Sequence, residues 1–317
     1  MSIHDSSTVL RRGEEVADAL AEGRPVVALE SSGVTGGPTY PANLDMALAV
    51  EEAVRASGAV PARVGLLDGA LVVGMTPAEL DRMAHPPGVP KAGTRDIGPV
   101  LASGGLGAAT VSAAMVAAGL AGIEVFSVAG IGGVHRDAQR TFDISTDLVQ
   151  FTRTRMAVVC AGAKSVLDLA LTLEYLETHG VPVIGYRCED FPAYYSRSSG
   201  LANPHRVDDL AEVGAAVRAH WAVGNPGAVL VTHPIAEADA LPAEEIEAVL
   251  AGALAEADRL GVRGQSVTPH LLSALARGTG GRTTAANRSV LISTVRLAGE
   301  LAAVLSSREL ANGVPAC

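Results

Sequence analysis

The sequence predicts an α/β protein in which helices cover both faces of a parallel or mixed β-sheet, an α/β/α layering. Short apolar, β-branched runs such as PVVALE (25–30), EVFSVAG (124–130) and MAVVCAG (156–162) alternate with helical patterns along the chain, the order typical of parallel sheets. The 35 glycines follow no period and cluster where strands meet helices. No linker or repeat interrupts the alternation. We therefore expect residues 1–317 to form a single domain, with its core at about 8–305.

Composition narrows the class of protein. The chain is 48% hydrophobic but only 3% aromatic, so its core is built from Ala, Val, Leu and Ile. A formal net charge of −10 argues against a nucleic-acid surface, although one lysine or helix N-terminus suffices to hold a phosphate. Cys160, Cys188 and Cys317 have no metal-ligand or CxxC spacing, which indicates reduced thiols in a cytoplasmic protein. Neither a signal peptide nor a membrane span is predicted.

In the first half of the chain, periodicity and breakers place each element. Asp68-Gly69 marks a hairpin, and Thr76, Pro77 and Glu79 form a variant of the helix capping box. The predicted elements are a helix over 8–22, a strand over 25–30, a helix over 42–58 with Asn43 as N-cap, two strands within 62–75, a helix after Thr76, and a small-residue helix within 102–122.

The second half continues the alternation. A loop over 190–209 separates two of its units, and loops of this length inside a domain are functional or mobile. The predicted elements are strands over 124–130 and 156–162, a helix over 165–180, a strand from Val181 to Cys188, a helix after Asp209, a strand over 228–235, a helix over 242–262, a helical turn after Thr268 and a final helix from Asn287 to Leu305.

Two charged residues follow predicted strands. Glu30 ends one strand beside a Gly-rich loop, the position where α/β sheets place ligand-binding groups; the alternative is a loop glutamate in water. Lys164 follows the run MAVVCAG in a small-residue setting. Partial burial there would lower its pKa and free its amine as a nucleophile or base. The alternative is a solvent-facing lysine at the start of the next helix.

Other groups able to do chemistry lie nearby. The segment between the two central strands carries His135, Arg136, Asp143, Ser145 and Asp147. The glycine-rich turn before the small-residue helix, with Thr110 and Ser112, offers backbone N–H groups for a phosphate, although close helix packing explains its composition equally well. The short polar segment with Lys91, Arg95 and Asp96 is either a surface loop or a second basic segment that reaches into the site.

Taken together, these segments resemble the pseudouridine-5′-phosphate glycosidase family over residues 8–305. The resemblance rests on ALESSGV, EEAVRASGAVPARVGLLDG, VPKAGTRD, GAATVSAAM, GIGGVHRDAQRTFDISTDL, VVCAGAKSVLDLALTLEYLETHGVPVIGY, PAYYSRSSG and the TGG…AAN segment that ends at Asn287. GIGGVHR and VCAGAKS are the most specific of these.

The resemblance implies a role for each matching residue. Lys164 would form a Schiff base with C1′ of ring-opened ribose 5-phosphate, and Glu30 would donate and accept the proton when the C–C glycosidic bond is made or broken. Asp143 would be the protein ligand of one Mn²⁺ ion whose other ligands are mostly water. The implied substrate contacts are Lys91, Thr110, Val111, Ser112, His135, Ser145, Thr146, Asp147 and Asn287. Family members are homotrimers, and we expect the same here.

The sequence departs from the family pattern after the first glutamate and in the last helix. Gly36 stands where a histidine is usual, and Ser293-Thr294 replaces an Asn-Asn pair. These changes are expected on the aglycone side. Three readings follow: a glycosidase acting on uracil and ribose 5-phosphate, a C-glycosynthase of the alnumycin kind that attaches ribose 5-phosphate to an aromatic polyketide, or a non-catalytic sugar-phosphate-binding relative.

Overall fold

The computed structural model describes residues 9–307. Within that range, thirteen strands carry the backbone pairing. They are β1 (Leu10–Arg12), β2 (Val26–Leu29), β3 (Val60–Leu67), β4 (Ala70–Val73), β5 (Lys91–Ala92), β6 (Ala108–Ala109), β7 (Val125–Ser127), β8 (Val134–His135), β9 (Ala157–Cys160), β10 (Leu167–Asp168), β11 (Val183–Tyr186), β12 (His205–Val207) and β13 (Val229–Thr232).

The helices alternate with these strands. In the described range they are α1 (Glu14–Ala21), α2 (Ser32–Thr35), α3 (Ala42–Ala56), α4 (Pro77–Ala84), α5 (Ile97–Ser103), α6 (Val111–Ala121), α7 (Ala138–Thr141), α8 (Thr146–Phe151), α9 (Leu169–Thr178), α10 (Leu210–Ala222), α11 (Ala243–Arg259), α12 (Val267–Gly278) and α13 (Arg282–Ser306).

Nine of the strands form one sheet, in the order β1–β4–β3–β2–β7–β9–β13–β11–β12. Neighbouring strands are parallel except at the β3–β4 hairpin. The sheet is therefore mixed, as predicted. Because β2, β7 and β9 are adjacent and parallel, their carboxyl ends meet at one edge, where α/β folds bind ligands.

Two helical layers bury the faces of the sheet. One face packs against α1, α6, α8, α11 and α12 through residues such as Ala19, Met115, Leu148 and Leu275. The other packs against α3, α10 and α13 through residues such as Val54, Trp221 and Leu301. The predicted α/β/α layering is confirmed, and the buried runs VVAL and AVVC lie at the centre of the sheet.

Several boundaries differ from the sequence-based expectation. The predicted helix over 8–22 begins instead as β1, which pairs parallel with β4 before α1 starts. Asn43 is not the N-cap of α3; its buried amide donates to the carbonyls of Val34 and Ala84, and Pro41 precedes the helix. In the second half, a bridge at β10 delays α9, which Asp168 caps.

Two more elements differ. The long loop over 190–209 contains β12, and the last helix begins at Arg282 rather than at Asn287. The capping box at Thr76, by contrast, is confirmed, since Thr76 and Glu79 exchange side-chain and backbone hydrogen bonds.

Helix α13 is long and apolar enough to cross a membrane by length and composition, with a mean hydropathy of 1.5 over its most apolar window. Half of that window is buried within the protein. Val295, Ala298 and Leu301 pack into the core cluster that lies on β2, β7 and β9. The helix is therefore a core helix of this fold.

Both edges of the main sheet are short strands that carry arginine. At one edge, Arg11 of β1 pairs with Glu79. At the other, Arg206 of β12 pairs with Glu189 at 2.5 Å and with Asp208 at 2.8 Å.

Candidate active site

Glu30 follows β2 directly, and its carboxylate is held by the start of the short helix α2. The Gly33 N–H donates to both carboxylate oxygens, at 3.1 and 2.9 Å, and the Ser32 hydroxyl donates to Oε2. A Cβ at position 33 would lie 2.6 Å from Glu30 Oε1, so this contact requires glycine. Glu30 is half-buried, which leaves its carboxylate open to a ligand as well.

The backbone around Glu30 is fixed from two sides. The guanidinium of Arg63, on the neighbouring strand β3, donates to the Glu30 carbonyl at 2.7 Å and pairs with Glu51 at 3.1 Å. Ser31 is fully buried and exchanges two hydrogen bonds with the backbone of Ala109. Glu30 is thereby tied both to β3 and to the segment that leads into α6.

Lys164 lies in the loop after β9, next to the loop after β7. Backbone hydrogen bonds from Ile131 N to the Gly162 carbonyl and from Lys164 N to the Ile131 carbonyl, each 3.1 Å, continue the β7–β9 pairing beyond the sheet. Lys164 is half-buried. Burial lowers the pKa of its amine, the charge of Asp147 opposes that shift, Lys91 adds to it, and Glu30 opposes it. These four charged groups therefore converge at one site.

Asp147 joins three of the segments that form this site. Its carboxylate accepts from the Ser112 N–H at 3.1 Å and from the Gly132 N–H at 2.9 Å. Its own N–H donates to Ser145 Oγ, which caps α8. The side chain is 5% exposed, so Asp147 faces the site as a buried anion that also anchors the starts of α6 and α8.

Glycine is required in the GIGG turn after β7. A Cβ on Gly132 would lie 2.2 Å from Ser145 Oγ and 2.7 Å from Asp147 Oδ2. A Cβ on Gly133 would lie 2.4 Å from Thr172 Oγ1. Only glycine fits at these two positions, because the turn packs directly on the side chains of Ser145, Asp147 and Thr172.

Three hydroxyl groups line up beside Asp147. Ser112 Oγ lies 3.0 Å from Thr110 Oγ1 and 3.0 Å from Thr146 Oγ1. A Cβ on Gly93 would be 3.7 Å from both Ser112 Oγ and Thr146 Oγ1, so the backbone after Lys91 borders the same cluster. Val111, at the first turn of α6, is buried. Hydroxyls and helix-start N–H groups beside a lysine form a surface suited to a phosphate.

The residues of the polar segment 91–96 differ in position relative to the site. Lys91 lies on β5, which pairs with β6, and its charge acts on both Lys164 and His135. Arg95 is exposed, and Asp96 accepts from the Gly93 N–H at 2.9 Å. Lys91 therefore belongs to the site, whereas Arg95 lies on the surface and Asp96 shapes the turn.

His135 and Asp143 lie on either side of the short helix α7 in sequence and face each other in the structure. The His135 N–H donates to the Asp143 carbonyl at 3.0 Å, and Nδ1 lies 3.9 Å from Asp143 Oδ2. Burial lowers the pKa of His135, Asp143 opposes this, and Lys164 and Lys91 add to it. Neighbouring Arg136 is engaged elsewhere, with Glu247 at 2.7 Å and the Ser165 carbonyl at 3.0 Å.

The donor set around Asp143 suits a loosely held hard cation. Its side chain is 32% exposed and meets only His135 among charged partners of the described range. Across residues 9–307, no group of three or more His, Cys, Asp or Glu side chains is placed to hold a metal. One accessible carboxylate fits an ion whose remaining ligands are water.

Asn287 reaches the site from α13 through Tyr194. The Tyr194 hydroxyl donates to Asn287 Oδ1. Burial raises the pKa of Tyr194 well above its usual range, and the charges of Tyr195 and Glu30 add to the rise. The Tyr194 N–H donates to the Ala161 carbonyl just after β9, so the Tyr194–Asn287 pair lies at the same end of the sheet as Lys164.

Sequence reasoning missed Arg63 and the role of Tyr194. Arg63 sits in a strand pattern whose only signal was a charged residue among apolar ones. The sequence predicts only a long loop around Tyr194, and its partner Asn287 is far along the chain.

Two departures from the family pattern differ in position. Gly36 is exposed and ends α2, the short helix whose start holds the Glu30 carboxylate. Thr294 is fully buried, and the hydroxyls of Ser293 and Thr294 both donate to the carbonyl of Val290 in their own helix. The expectation that this pair shapes the aglycone side is not supported by these contacts, because the hydroxyls satisfy α13 itself.

Comparison with known proteins gives a consistent result. The family model described as "Indigoidine synthase A like protein" matches residues 15–304. Among curated relatives, the pseudouridine-5′-phosphate glycosidase of Dickeya dadantii is 53% identical over 94% of both chains. Pseudouridine-5′-phosphate glycosidase 1 of Photorhabdus laumondii is 48% identical over 91% of both.

Two solved structures share the fold. The prealnumycin C-glycosynthase AlnA, solved in complex with ribulose 5-phosphate, is 51% identical with a TM-score of 0.88, covering 95% of this chain and 98% of AlnA. An indigoidine synthase A-like protein from Thermotoga maritima is 34% identical with a TM-score of 0.86, covering 97% of this chain and all of that one. The chain therefore belongs to the indigoidine synthase A-like family and is an enzyme of the pseudouridine-5′-phosphate glycosidase type.

Proposed function

We propose that this enzyme makes or breaks a C–C glycosidic bond between ribose 5-phosphate and uracil through a Schiff base on Lys164. The observation that carries the proposal is the position of half-buried Lys164 after β9: its N–H donates to the Ile131 carbonyl, and the next residue, Gly132, donates to Asp147. Glu30 follows the nearby strand β2, and burial lowers the pKa of the lysine. The names of the curated relatives supply the substrates, and the sugar phosphate bound to AlnA supports the sugar half.

The chemistry requires an electron sink at C1′, because a C–C bond has no leaving oxygen to protonate. In the synthetic direction, the neutral amine of Lys164 attacks the aldehyde carbon of ring-opened ribose 5-phosphate, and the carbonyl oxygen leaves as water. Carbon 5 of uracil then attacks the resulting iminium, whose C=N electrons return to nitrogen. Glu30 accepts the proton released from carbon 5. The C4′ hydroxyl oxygen then attacks C1′, the bond from C1′ to the Lys164 nitrogen breaks, and the proton of that hydroxyl passes to the departing amine. Cleavage is the reverse.

The remaining site residues bind and orient. The lowered pKa of Lys164 increases the fraction of neutral amine near neutral pH. Lys91, Thr110, Val111, Ser112, Ser145 and Thr146 are proposed to hold the sugar phosphate. His135 and Asn287 border the rest of the substrate. Asp147 is proposed to fix the position of the hydroxyl cluster relative to Lys164, through its bonds to the N–H groups of Ser112 and Gly132.

Borohydride trapping tests the scheme. Ribose 5-phosphate and borohydride should add one sugar to the wild-type chain, located at Lys164 by peptide mass spectrometry. Lys164→Ala should lose both the adduct and turnover. Glu30→Gln should keep the adduct yet lower turnover by at least about 100-fold, the usual size of a general acid–base contribution. An active Lys164→Ala variant would exclude the mechanism, and normal turnover by Glu30→Gln would remove Glu30 from it.

Asp143 is proposed to hold one Mn²⁺ ion, with water as the other ligands. The bound ion supplies positive charge beside the sugar-phosphate end of the site. Asp143→Asn should weaken Mn²⁺ binding in equilibrium dialysis, and unchanged binding would place the ion elsewhere.

We also propose that the chain acts in the cytoplasm as a homotrimer, as its resemblance to the family implies. Sedimentation equilibrium should give three times the 32.2 kDa chain mass. A monomeric or dimeric mass would exclude the trimer.

A second function is favoured by one comparison. The identity to AlnA, 51%, is close to that of the most similar glycosidase named above, 53%. An aromatic polyketide is therefore the alternative aglycone. Product formation from uracil by untreated enzyme, whose competence is shown by borohydride trapping of a separate sample, decides between them.

A further inference from the structure

The Tyr194 side chain is held rigidly between the two loops that form the site. Its ring lies on Gly130, where a Cβ would be 2.3 Å from Tyr194 Cδ2. The backbone N–H of Tyr194 donates to the Ala161 carbonyl at 3.1 Å. The carbonyl of the preceding residue, Ala193, accepts from Ser165 Oγ at 2.6 Å. The backbone at Tyr194 has φ of 64°, a conformation unfavourable for a bulky residue. Packing and these bonds therefore fix the direction of the phenol.

The phenol in turn fixes the carboxamide of Asn287. Tyr194 donates to Asn287 Oδ1, which occupies the acceptor end of the amide. Asn287 Nδ2 donates to no other group among residues 9–307, and the side chain is only half-buried. The amide is thus held with its two N–H donors free and turned away from Tyr194.

The position of this pair identifies the part of the substrate that it meets. Lys91 lies on β5, which pairs with β6 just before α6, where the hydroxyls of Ser112 and Thr146 meet. Tyr194 instead packs on Gly130 and donates to the Ala161 carbonyl, and within residues 9–307 neither it nor Asn287 hydrogen-bonds to that cluster. In the proposed function, Glu30 exchanges a proton with the aglycone and Lys91 meets the sugar phosphate. Tyr194 and Asn287 therefore lie on the aglycone side.

We propose that Tyr194 is a positioning residue that locks Asn287 with its N–H donors toward the aglycone, so that the site selects an aglycone with a carbonyl oxygen at that point. The proposal rests on the proposed function and adds to it the residue that orients the recognition group. A carbonyl oxygen is an acceptor and matches a fixed N–H donor. An aglycone that offered only a donor there would leave two donors facing each other.

The test compares Tyr194→Phe with Tyr195→Phe as the matched control. Tyr195 is equally buried and stacks edge-on against Tyr194, and its hydroxyl makes no hydrogen bond within residues 9–307. Initial rates of C–C bond formation are measured with ribose 5-phosphate and uracil, and each variant is also trapped with borohydride.

Tyr194→Phe frees the Asn287 amide to rotate, at the cost of about one hydrogen bond, which corresponds to about tenfold in affinity. The KM for uracil should rise about tenfold, while the KM for ribose 5-phosphate and the yield of trapped adduct stay at wild-type values. Tyr195→Phe should change none of these. Once Asn287→Ala has removed the amide, adding Tyr194→Phe should have no further effect on KM.

Three outcomes overturn the proposal. They are an unchanged KM for uracil in Tyr194→Phe, an equal rise in the KM for ribose 5-phosphate, and a wild-type enzyme that is trapped with the sugar but makes no product from uracil. A wild-type enzyme that borohydride does not trap would instead overturn the Schiff-base scheme. In that case the thermal unfolding midpoints still test the pair, because additive shifts from Tyr194→Phe and Asn287→Ala would show that the two side chains are not coupled.

Discussion

Arg63 carries the best-buried ion pair near the site, and it holds the backbone of the proposed acid–base residue. Its side chain is 6% exposed and that of its partner Glu51 is 12% exposed. The guanidinium also donates to the carbonyls of Glu30 and Ala47. Each nitrogen of this guanidinium thus donates one hydrogen bond, and together the three bonds connect β3, α3 and the end of β2.

Replacing Arg63 should therefore destabilise the protein strongly. Arg63→Met leaves the Glu51 carboxylate buried without a partner, which costs about 3–5 kcal/mol in the free energy of unfolding. Urea denaturation measures this. Adding Glu51→Leu to the variant should recover part of the loss, because no uncompensated charge then remains.

The matched control is Arg263→Met, whose ion pair with Asp258 lies on the surface, with side chains 61% and 82% exposed. Its unfolding curve should stay close to that of the wild type. If both methionine variants unfolded alike, the buried pair at Arg63 would not have the importance assigned to it.

Residue-level prediction from sequence worked where position along a strand decides the outcome. Glu30 and Lys164 were singled out because each follows a buried strand, and the structure places both at one sheet edge. The Tyr194–Asn287 contact could not be predicted, since it joins a loop to a helix distant in sequence. Asn43 was wrong as an N-cap for a related reason: its amide serves Val34 and Ala84, a contact that local pattern does not contain.

At the level of elements, hydrophobic periodicity predicts most of the helices and the central strands. The strands of the main sheet that it does not predict are short and lie at the edges of that sheet. β1 was missed because its three residues become a strand only by pairing with β4. β12 was hidden in a loop for the same reason, since it pairs with β11 at the edge of the sheet. Short strands carry little pattern of their own, so tertiary pairing decides them.

Two helical glycines should respond to alanine in opposite ways. Gly252 in α11 is exposed, and a Cβ there would meet nothing within 4 Å. Gly252→Ala should therefore stabilise the protein by up to about 1 kcal/mol. Gly299 in α13 is its buried counterpart, since a Cβ would lie 1.8 Å from Ser57 Oγ.

Gly299→Ala forces α13 away from the end of α3 and should cost about 1–3 kcal/mol. Thermal unfolding of the two variants side by side measures whether each substitution raises or lowers the stability of the protein. A stabilised Gly299→Ala protein would mean that the α3–α13 contact yields easily, contrary to the packing described.

At the level of the whole molecule, the site depends on strands that are neighbours in space but not in sequence. β2 leads to Glu30, β7 leads to the GIGG turn and β9 leads to Lys164, and these strands are adjacent in the sheet. The sequence predicts that Glu30 ends one strand and that Lys164 follows another. It could not predict the strand order, which depends on how helices of both layers pack.

The arginine-bearing edge strands bear on how the protein behaves at high concentration. An open sheet edge can pair with another chain, and a charged side chain placed there opposes this. Arg11 and Arg206 occupy the two ends of a nine-stranded sheet whose interior is almost wholly aliphatic. Each is paired with a carboxylate, so a strand that docked onto either edge would lie beside an ion pair. The same residues that look incidental to catalysis thus protect a highly aliphatic α/β fold from growing into an intermolecular sheet.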